Sequence, residues 1–171
     1  MKKLILLLTV IIMSTGFLFA QHDYALKAGT KAPDFTLQDS KGNEYTLSSY
    51  LNISPVVLYF YPEAGTPGCT KEACGIRDDW SKFKKNNIQV LGVSVDSKEK
   101  IQKFIDDYKL NFPLLSDKDK KVSKEYGVLD KDGTDKRITF IIDKNGKIVK
   151  SFRVTNIGNH SKEVFDIASK L

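Results

Sequence analysis

Two cysteines lie five positions apart in one short segment of this 171-residue chain, Thr66-Pro67-Gly68-Cys69-Thr70-Lys71-Glu72-Ala73-Cys74. Cysteine thiolates are nucleophiles, and a pair of thiols can form and break a disulfide. An apolar, β-branched and aromatic run over residues 55–61 precedes the segment and predicts a buried strand. From Thr66 to about Lys85, apolar side chains recur at helical spacing. Cys69 would then lie in the first turn of a helix, where free backbone N–H groups and the helix dipole stabilise a thiolate.

The spacing of the two cysteines bears on whether they form a structural disulfide. In a regular helix, residues five apart have Cα atoms about 8.5 Å apart, whereas a disulfide needs less than about 7 Å. A bond between Cys69 and Cys74 would therefore require part of the helix to unwind, which suits a bond that forms and breaks. The loop after a parallel strand is also where α/β folds place their sites. These features favour redox or catalytic cysteines over a structural disulfide or two inert core thiols.

Strands and helices alternate along the rest of the chain. Residues 34–37 and 44–47 flank a turn-rich stretch and predict a β-hairpin near the N-terminus. Residues 90–95 predict a second buried strand, and Asp96 with Glu99 fits a capping box for the next helix. The remaining predictions are an extended segment 112–115, a short helix 121–126, strands 138–142 and 148–154, and a last helix 161–171. We therefore predict an α/β sandwich with a central mixed β-sheet, helices on both faces and an N-terminal β-hairpin.

The N-terminus has the residue order of a secretory signal. Lys2 and Lys3 precede an apolar run over residues 4–13, which is about half the length of a bilayer span. We expect a signal peptide at residues 1–20, and cleavage after Gly16 or an uncleaved anchor are the alternatives. Residues 21–171 would form a single domain, exported to the periplasm or secreted, with no stable membrane association after signal cleavage.

The composition argues against several classes of binding protein. Without Lys2 and Lys3 the chain has 25 basic and 21 acidic residues, an excess too small to indicate nucleic acid binding. Two cysteines cannot form a closed four-ligand zinc site without both histidines, and His22 and His160 lie at opposite ends of the chain. We assign neither histidine a role and expect no metal and no organic cofactor. The stretch 130–136 contains three aspartates but lacks the glycine position of a calcium loop, so it is predicted to be a solvated loop.

The pattern Pro62-x-x-x-Thr66-x-x-Cys69 resembles the active-site motif of peroxiredoxins, the thiol peroxidases of thioredoxin-like fold. The position of the second cysteine, five residues after Cys69, resembles that in the PrxQ subfamily, also called bacterioferritin comigratory proteins. The resemblance runs from about Lys27 to the C-terminus and includes residues 32–35, 91–96, 126–128 and 137–143. It implies a thioredoxin-like fold and a thiol peroxidase without a cofactor.

The resemblance implies a role for each residue of the motif. Cys69 would be the peroxidatic cysteine, which becomes a sulfenic acid, and Cys74 the resolving cysteine, which converts that acid to an intramolecular disulfide. Arg137 would hold the thiolate, Thr66 would bind the peroxide or cap the helix, and Pro62 would shield the sulfenic acid. The implied substrates are hydrogen peroxide and organic hydroperoxides, the implied reductant is a thioredoxin-like dithiol, and the implied state is a monomer.

Two other functions fit parts of the sequence. An exported thioredoxin-like thiol-disulfide oxidoreductase would usually carry two residues between its cysteines, whereas four residues separate Cys69 from Cys74. A copper-binding chaperone of the same fold would need a histidine near the strand opposite the cysteines, and neither His22 nor His160 is well placed for that. We therefore favour the peroxidase.

Overall fold

The computed structural model describes residues 25–171, which form one mixed sheet with helices against it. Its strands are β1 (Thr36–Asp39), β2 (Glu44–Thr46), β3 (Val56–Phe60), β4 (Gln89–Ser94), β5 (Leu114–Ser116), β6 (Ile138–Ile142) and β7 (Ile148–Arg153). Its helices are α1 (Pro67–Lys85), α2 (Lys98–Tyr108), α3 (Lys121–Glu125) and α4 (His160–Ala168), with short 3-10 turns at Leu47–Tyr50 and Ile157–Asn159. The strands and helices occur in the predicted order.

The seven strands lie in the order β2-β1-β5-β4-β3-β6-β7. β3 pairs parallel to β4 and antiparallel to β6, and β4 pairs parallel to β5. β1 and β2 form the predicted N-terminal hairpin, and β1 joins the sheet antiparallel to β5. The mixed sheet is therefore confirmed, with β3 near its centre.

β3 is buried on both faces because all five of its side chains are apolar or aromatic. Its alternate residues contribute to two separate cores, with Val57 and Tyr59 on one face and Val56, Leu58 and Phe60 on the other. The first core contains apolar side chains of α1, α2 and α4, and the second contains residues of α3, the N-terminal segment and the first 3-10 turn. Helices therefore cover both faces, as predicted.

One local prediction is wrong, and a second holds only in part. The N-cap of α2 is Ser97, whose hydroxyl oxygen accepts from the backbone N–H of Lys100, so Asp96 does not cap the helix. The stretch 130–136 is not fully solvated, because Asp135 is 1% exposed. Neither carboxylate oxygen of Asp135 has a hydrogen-bond partner among the described residues, and burial raises the pKa of this carboxyl to about 7.

Two predictions concern residues near the N-terminus that the structure does not describe. The signal peptide and His22 lie outside the described residues. Within residues 25–171, no helix is long and apolar enough to cross a membrane.

Candidate active site

The loop from β3 to α1 positions Cys69. Gly65 has a φ of +83°, a left-handed conformation that a glycine adopts without strain, and it turns the chain toward the helix. Pro67 is the first residue of α1, where its missing N–H costs no helical hydrogen bond. Cys69 is therefore the third residue of α1, and its predicted place in the first helical turn is confirmed.

Arg137 contacts the sulfur of Cys69. Its Nη2 donates to Sγ over 3.1 Å, and Cys69 is only 2% exposed. Sheet register explains this contact, because Phe60 at the end of β3 pairs with Ile138 at the start of β6, which places Arg137 beside the loop that follows β3. Burial alone would lower the pKa of Arg137. The interactions with Glu72 and Cys69 raise this pKa by more than burial lowers it, so the net shift is upward. The guanidinium is thus a permanent positive charge against the sulfur.

Thr66 occupies the N-cap position of α1, but its side chain does not cap the helix. Its hydroxyl donates instead to the carbonyl of Glu63 over 3.0 Å. The backbone N–H groups of Gly68 and Cys69 donate to no acceptor within residues 25–171. The first turn of α1 therefore carries two unpaired N–H donors, at Cys69 and at the residue before it, and the Thr66 oxygen keeps lone pairs that can accept.

Pro62 lies half-buried in the same loop, four residues before Thr66. Asp96 fixes the position of this loop, because its Oδ2 accepts from the backbone N–H of Ala64 over 2.8 Å and from the hydroxyl of Ser94 over 2.9 Å. Lys100 pairs with the other oxygen of Asp96 over 2.8 Å. Asp96 thus supports the site from the end of β4, a role that the sequence analysis did not assign.

Cys74 is a free, half-buried thiol farther along the continuous helix α1. The structure brings Cys69 and Arg137 into contact but does not bring Cys74 to Cys69. Residues five apart in a regular helix lie beyond disulfide reach. A bond between the two thiols therefore requires α1 to change conformation.

Two buried groups behind Arg137 were not identified from the sequence. Glu72 accepts from Nη1 of Arg137 and lies 3.0 Å, Oε1 to Nδ1, from His160. Burial raises the pKa of Glu72 to about 7, although Arg137 lowers it, whereas burial and then the charge of Arg137 lower the pKa of His160 to about 4. Glu72 follows Cys69 by three residues in α1. Residues at this spacing lie on one face of a helix, so the sequence contains a signal that these two side chains are close together. His160 is distant in sequence, so only the folded chain reveals it.

Residues 25–171 contain no group of three or more histidine, cysteine, aspartate or glutamate side chains placed to hold a metal ion.

Comparison with known proteins identifies the family. A model described as the AhpC/TSA family matches residues 28–151. Peroxiredoxin Bcp of Escherichia coli is 42% identical over 149 residues, which is 82% of this chain and 94% of that relative. The chain is a peroxiredoxin of the AhpC/TSA family. It is also 44% identical over 147 residues to a putative peroxiredoxin bcp of Coxiella burnetii, over 82% of this chain and 97% of the relative.

Solved structures of peroxiredoxins share the fold of this one. Peroxidoxin BcpB from Mycobacterium tuberculosis matches with a TM-score of 0.79 and 34% identity, over 85% of this chain and 98% of that chain. Peroxiredoxin Q from Xanthomonas campestris matches with a TM-score of 0.77 and 28% identity, over 84% and 97%. The peroxiredoxin described here is therefore a thiol peroxidase of the Bcp and peroxiredoxin Q type, with a thioredoxin-like fold.

Proposed function

We propose that this peroxiredoxin reduces hydrogen peroxide and organic hydroperoxides with Cys69 as the nucleophile and Cys74 as the resolving thiol. The observation that carries the proposal is the 3.1 Å contact between Nη2 of Arg137 and Sγ of Cys69 in the first turn of α1. A fixed cation that donates to this sulfur can stabilise negative charge that develops at the reacting atoms, and cysteine is the nucleophile among the contacting side chains.

The first chemical step forms a sulfenic acid. The Cys69 thiolate attacks one peroxide oxygen, the O–O bond breaks, and the other oxygen leaves as water or an alcohol after it takes up a proton. Arg137 and the free N–H groups stabilise negative charge on the departing oxygen. The Thr66 hydroxyl orients the peroxide, and half-buried Pro62 limits access of a second peroxide to the sulfenic acid.

The second step forms a disulfide within one chain. The Cys74 sulfur attacks the sulfur of the Cys69 sulfenic acid, hydroxide leaves and becomes water with the thiol proton, and an S–S bond forms. An external thioredoxin-like dithiol then reduces this bond and is itself oxidised to a disulfide. Because both thiols come from one chain, the cycle needs no second subunit, and we propose that the protein acts as a monomer.

Replacement of Cys74 by serine tests the resolving step. We expect the first turnover of Cys74→Ser to match the wild type, because Cys74 does not contact the sulfur of Cys69. The variant should then accumulate one and two added oxygens on Cys69, whereas the wild type should lose two hydrogens as it forms a disulfide, both measured by mass spectrometry of intact protein and peptides. Equal accumulation of added oxygens on Cys69 in the wild type and in Cys74→Ser would exclude the resolving role, and a wild-type disulfide between two chains would exclude the intramolecular bond.

Replacement of Arg137 by lysine tests the role of the guanidinium. We expect Arg137→Lys to lower the second-order rate constant for hydrogen peroxide by about a hundredfold. Lysine keeps the positive charge, but a point ammonium cannot contact Cys69 and Glu72 together as the planar guanidinium does. Lys136→Arg at the preceding, half-buried position is the matched control. A rate constant within threefold of the wild type would show that the guanidinium of Arg137 is not needed for the reaction with peroxide.

We also propose that the protein is exported and that residues 21–171 form the mature domain. The support is the order of charged, apolar and small residues before residue 21. N-terminal sequencing of the mature protein should give Gln21 or a residue close to it, and Met1 on a cytoplasmic species would contradict export. The alternative function, an exported thiol-disulfide oxidoreductase, is not favoured, because the relatives described above are named as peroxiredoxins.

A further inference from the structure

A chain of polar contacts runs from Cys69 into the core behind Arg137. One oxygen of Glu72 accepts from Arg137, and the other, Oε1, lies 3.0 Å from Nδ1 of His160. Nε2 of His160 lies 2.8 Å from the hydroxyl oxygen of Thr139. Glu72 is 1% exposed and His160 is fully buried, so bulk water does not reach these groups.

One shared proton would satisfy both Oε1 of Glu72 and Nδ1 of His160, which lie 3.0 Å apart. Oε1 and Nδ1 have no other hydrogen-bond partner within residues 25–171. Without a proton, both atoms are acceptors, and two buried acceptors 3.0 Å apart repel each other. The two atoms are not aligned as a linear hydrogen bond in this structure. They are nevertheless 3.0 Å apart, and no other described residue pairs with either of them.

We propose that His160 is a positioning residue for peroxide reduction. It shares one proton with Glu72 and thereby determines how much of the Arg137 charge is available to the sulfur of Cys69. The proposal deepens the function proposed above and rests on it, because it requires Cys69 as the nucleophile and Arg137 as its partner. His160 touches neither the sulfur nor the peroxide. It acts through Glu72, which contacts Arg137 directly.

The pair has two protonation states that differ by one proton. In the first, the protonated Glu72 carboxyl donates a hydrogen bond to Nδ1 of His160, and Nε2–H donates to the oxygen of Thr139. In the second, Glu72 is a carboxylate that accepts from Nδ1–H, and the Thr139 hydroxyl donates to Nε2. The imidazole is neutral in both, so one proton leaves to solvent and His160 changes tautomer. Arg137 faces a neutral acid in the first state and a carboxylate in the second.

The surroundings leave few other charges to influence this pair. Arg137 contacts Glu72 and, through its other terminal nitrogen, Cys69. The rings of Tyr59 and Phe152 flank the imidazole at 5.9 and 6.3 Å between centroids. Burial raises the pKa of Tyr59 well above its usual value, so its hydroxyl stays neutral. On β7 and α4, the nearby charges of Lys150 and Glu163 form an ion pair with each other over 3.2 Å.

The pH at which the pair loses its proton follows from burial. The raised pKa of Glu72, about 7, and the lowered pKa of His160, about 4, both mean that burial favours the uncharged forms. Near neutral pH the two protonation states are therefore both populated. Below that pH, Arg137 faces Cys69 and an uncharged Glu72, and above it Cys69 shares the guanidinium with the Glu72 carboxylate.

Infrared spectroscopy tests the shared proton without using activity. The difference between the reduced wild type and Glu72→Gln, which removes the contribution of buried Asp135 common to both, should show a carbonyl band of a protonated carboxyl that disappears as pH rises through about 7. In His160→Phe the carboxylate loses the N–H donor at Nδ1, so the band should disappear about one pH unit higher or more. Thr139→Val removes the partner of Nε2 in both states. A buried N–H without an acceptor costs more than a buried lone pair without a donor, so the first state is disfavoured and the band should disappear at lower pH. These opposite shifts separate a proton-sharing role from general damage to the fold.

Kinetics test the consequence for the reaction. We expect His160→Phe to move the pH profile of the rate constant for hydrogen peroxide upward by about one unit, because Glu72 then stays neutral, and the Arg137 charge stays available to Cys69, to higher pH. His160→Asn should restore most of the wild-type profile because its amide occupies the place of Nδ1. Ser161→Ala is the matched control, because Ser161 also joins α4 to α1, through a 2.8 Å bond to Asp79, but does not contact Glu72. That variant should lower the melting temperature without moving the infrared band or the pH profile.

The outcomes separate this inference from the proposed function. An infrared band that titrates identically in the wild type, His160→Phe and Thr139→Val overturns the inference, and so does an unchanged pH profile of the rate constant in all His160 variants. If His160→Phe does not fold, Thr139→Val still decides, because valine has the shape of threonine and leaves His160 in place. Peroxide reduction that persists in Cys69→Ser would instead overturn the proposed function, while the infrared result would still report on the Glu72–His160 pair.

Discussion

Cys69→Ser is expected to lower the second-order rate constant for hydrogen peroxide at least a thousandfold. A serine hydroxyl does not ionise near neutral pH, so Arg137 has no sulfur anion to stabilise and the peroxide meets no nucleophile. A thousandfold loss corresponds to about 4 kcal/mol of barrier lowering. Cys74 cannot replace Cys69, because it lies farther along α1 and the structure gives it no contact with Arg137.

Stopped-flow mixing of reduced protein with peroxide measures this loss. The chain has one tryptophan, Trp80, which lies on α1 and packs against Phe112 with ring centroids 5.9 Å apart, so its fluorescence reports on changes in the helix. Cys74→Ser is the control, since it also removes one thiol but keeps the nucleophile. Unchanged circular dichroism of Cys69→Ser shows that the fold is intact. Residual turnover above about one per cent of the wild type would contradict the assignment of Cys69.

Local sequence patterns predict the elements of this fold for a physical reason. The apolar run at β3 and the helical spacing along α1 each reflect one surface that must be buried, and this information is contained in neighbouring residues. The position of Cys69 in the first turn of α1 follows from the strand, the loop and Pro67 together. These features depend on short stretches of chain, so one sequence is enough to predict them.

The supporting groups of the site depend instead on contacts between distant segments. His160 reaches Glu72 only because α4 packs against α1, and Asp96 reaches Ala64 only because β4 pairs with β3. Asp96 was predicted to cap α2 because its own neighbours resemble a capping box, but Ser97 takes that position in the fold. A buried polar side chain is specified by its tertiary partners, and a single sequence does not identify those partners.

The second large effect expected is the loss of helical structure in α1 on oxidation. The reduced helix is continuous from Pro67 to Lys85, and it contains both cysteines at a spacing beyond disulfide reach. A Cys69–Cys74 bond must therefore unwind the first turns of α1. Unwinding also withdraws Ala73 and Ile76 from the core, where both are buried, and separates Arg137 from the sulfur.

Contacts farther along α1 limit how far the unwinding extends. Nη1 of Arg77 donates to the carbonyl of Tyr108 over 2.6 Å, and Asp79 accepts from the hydroxyl of Ser161 over 2.8 Å. Phe83 is fully buried near the end of the helix. These contacts attach the C-terminal half of α1 to α2 and α4, so we expect the change to end near Asp78. The lost packing and hydrogen bonds offset part of the stabilisation that the disulfide gives the folded state.

Hydrogen exchange of the reduced and oxidised protein measures this change. We expect the amides of residues 69–78 to exchange at least a hundredfold faster in the disulfide form, while residues 79–85 keep their protection. The peroxide-treated Cys74→Ser variant is the matched control, because it carries oxidised Cys69 without the bond and should keep its protection at residues 73–78. Equal protection of residues 69–78 in both redox forms, with the intramolecular disulfide confirmed by mass spectrometry, would mean that the bond forms without unwinding. The catalytic cycle would then need no conformational step to bring the two thiols together.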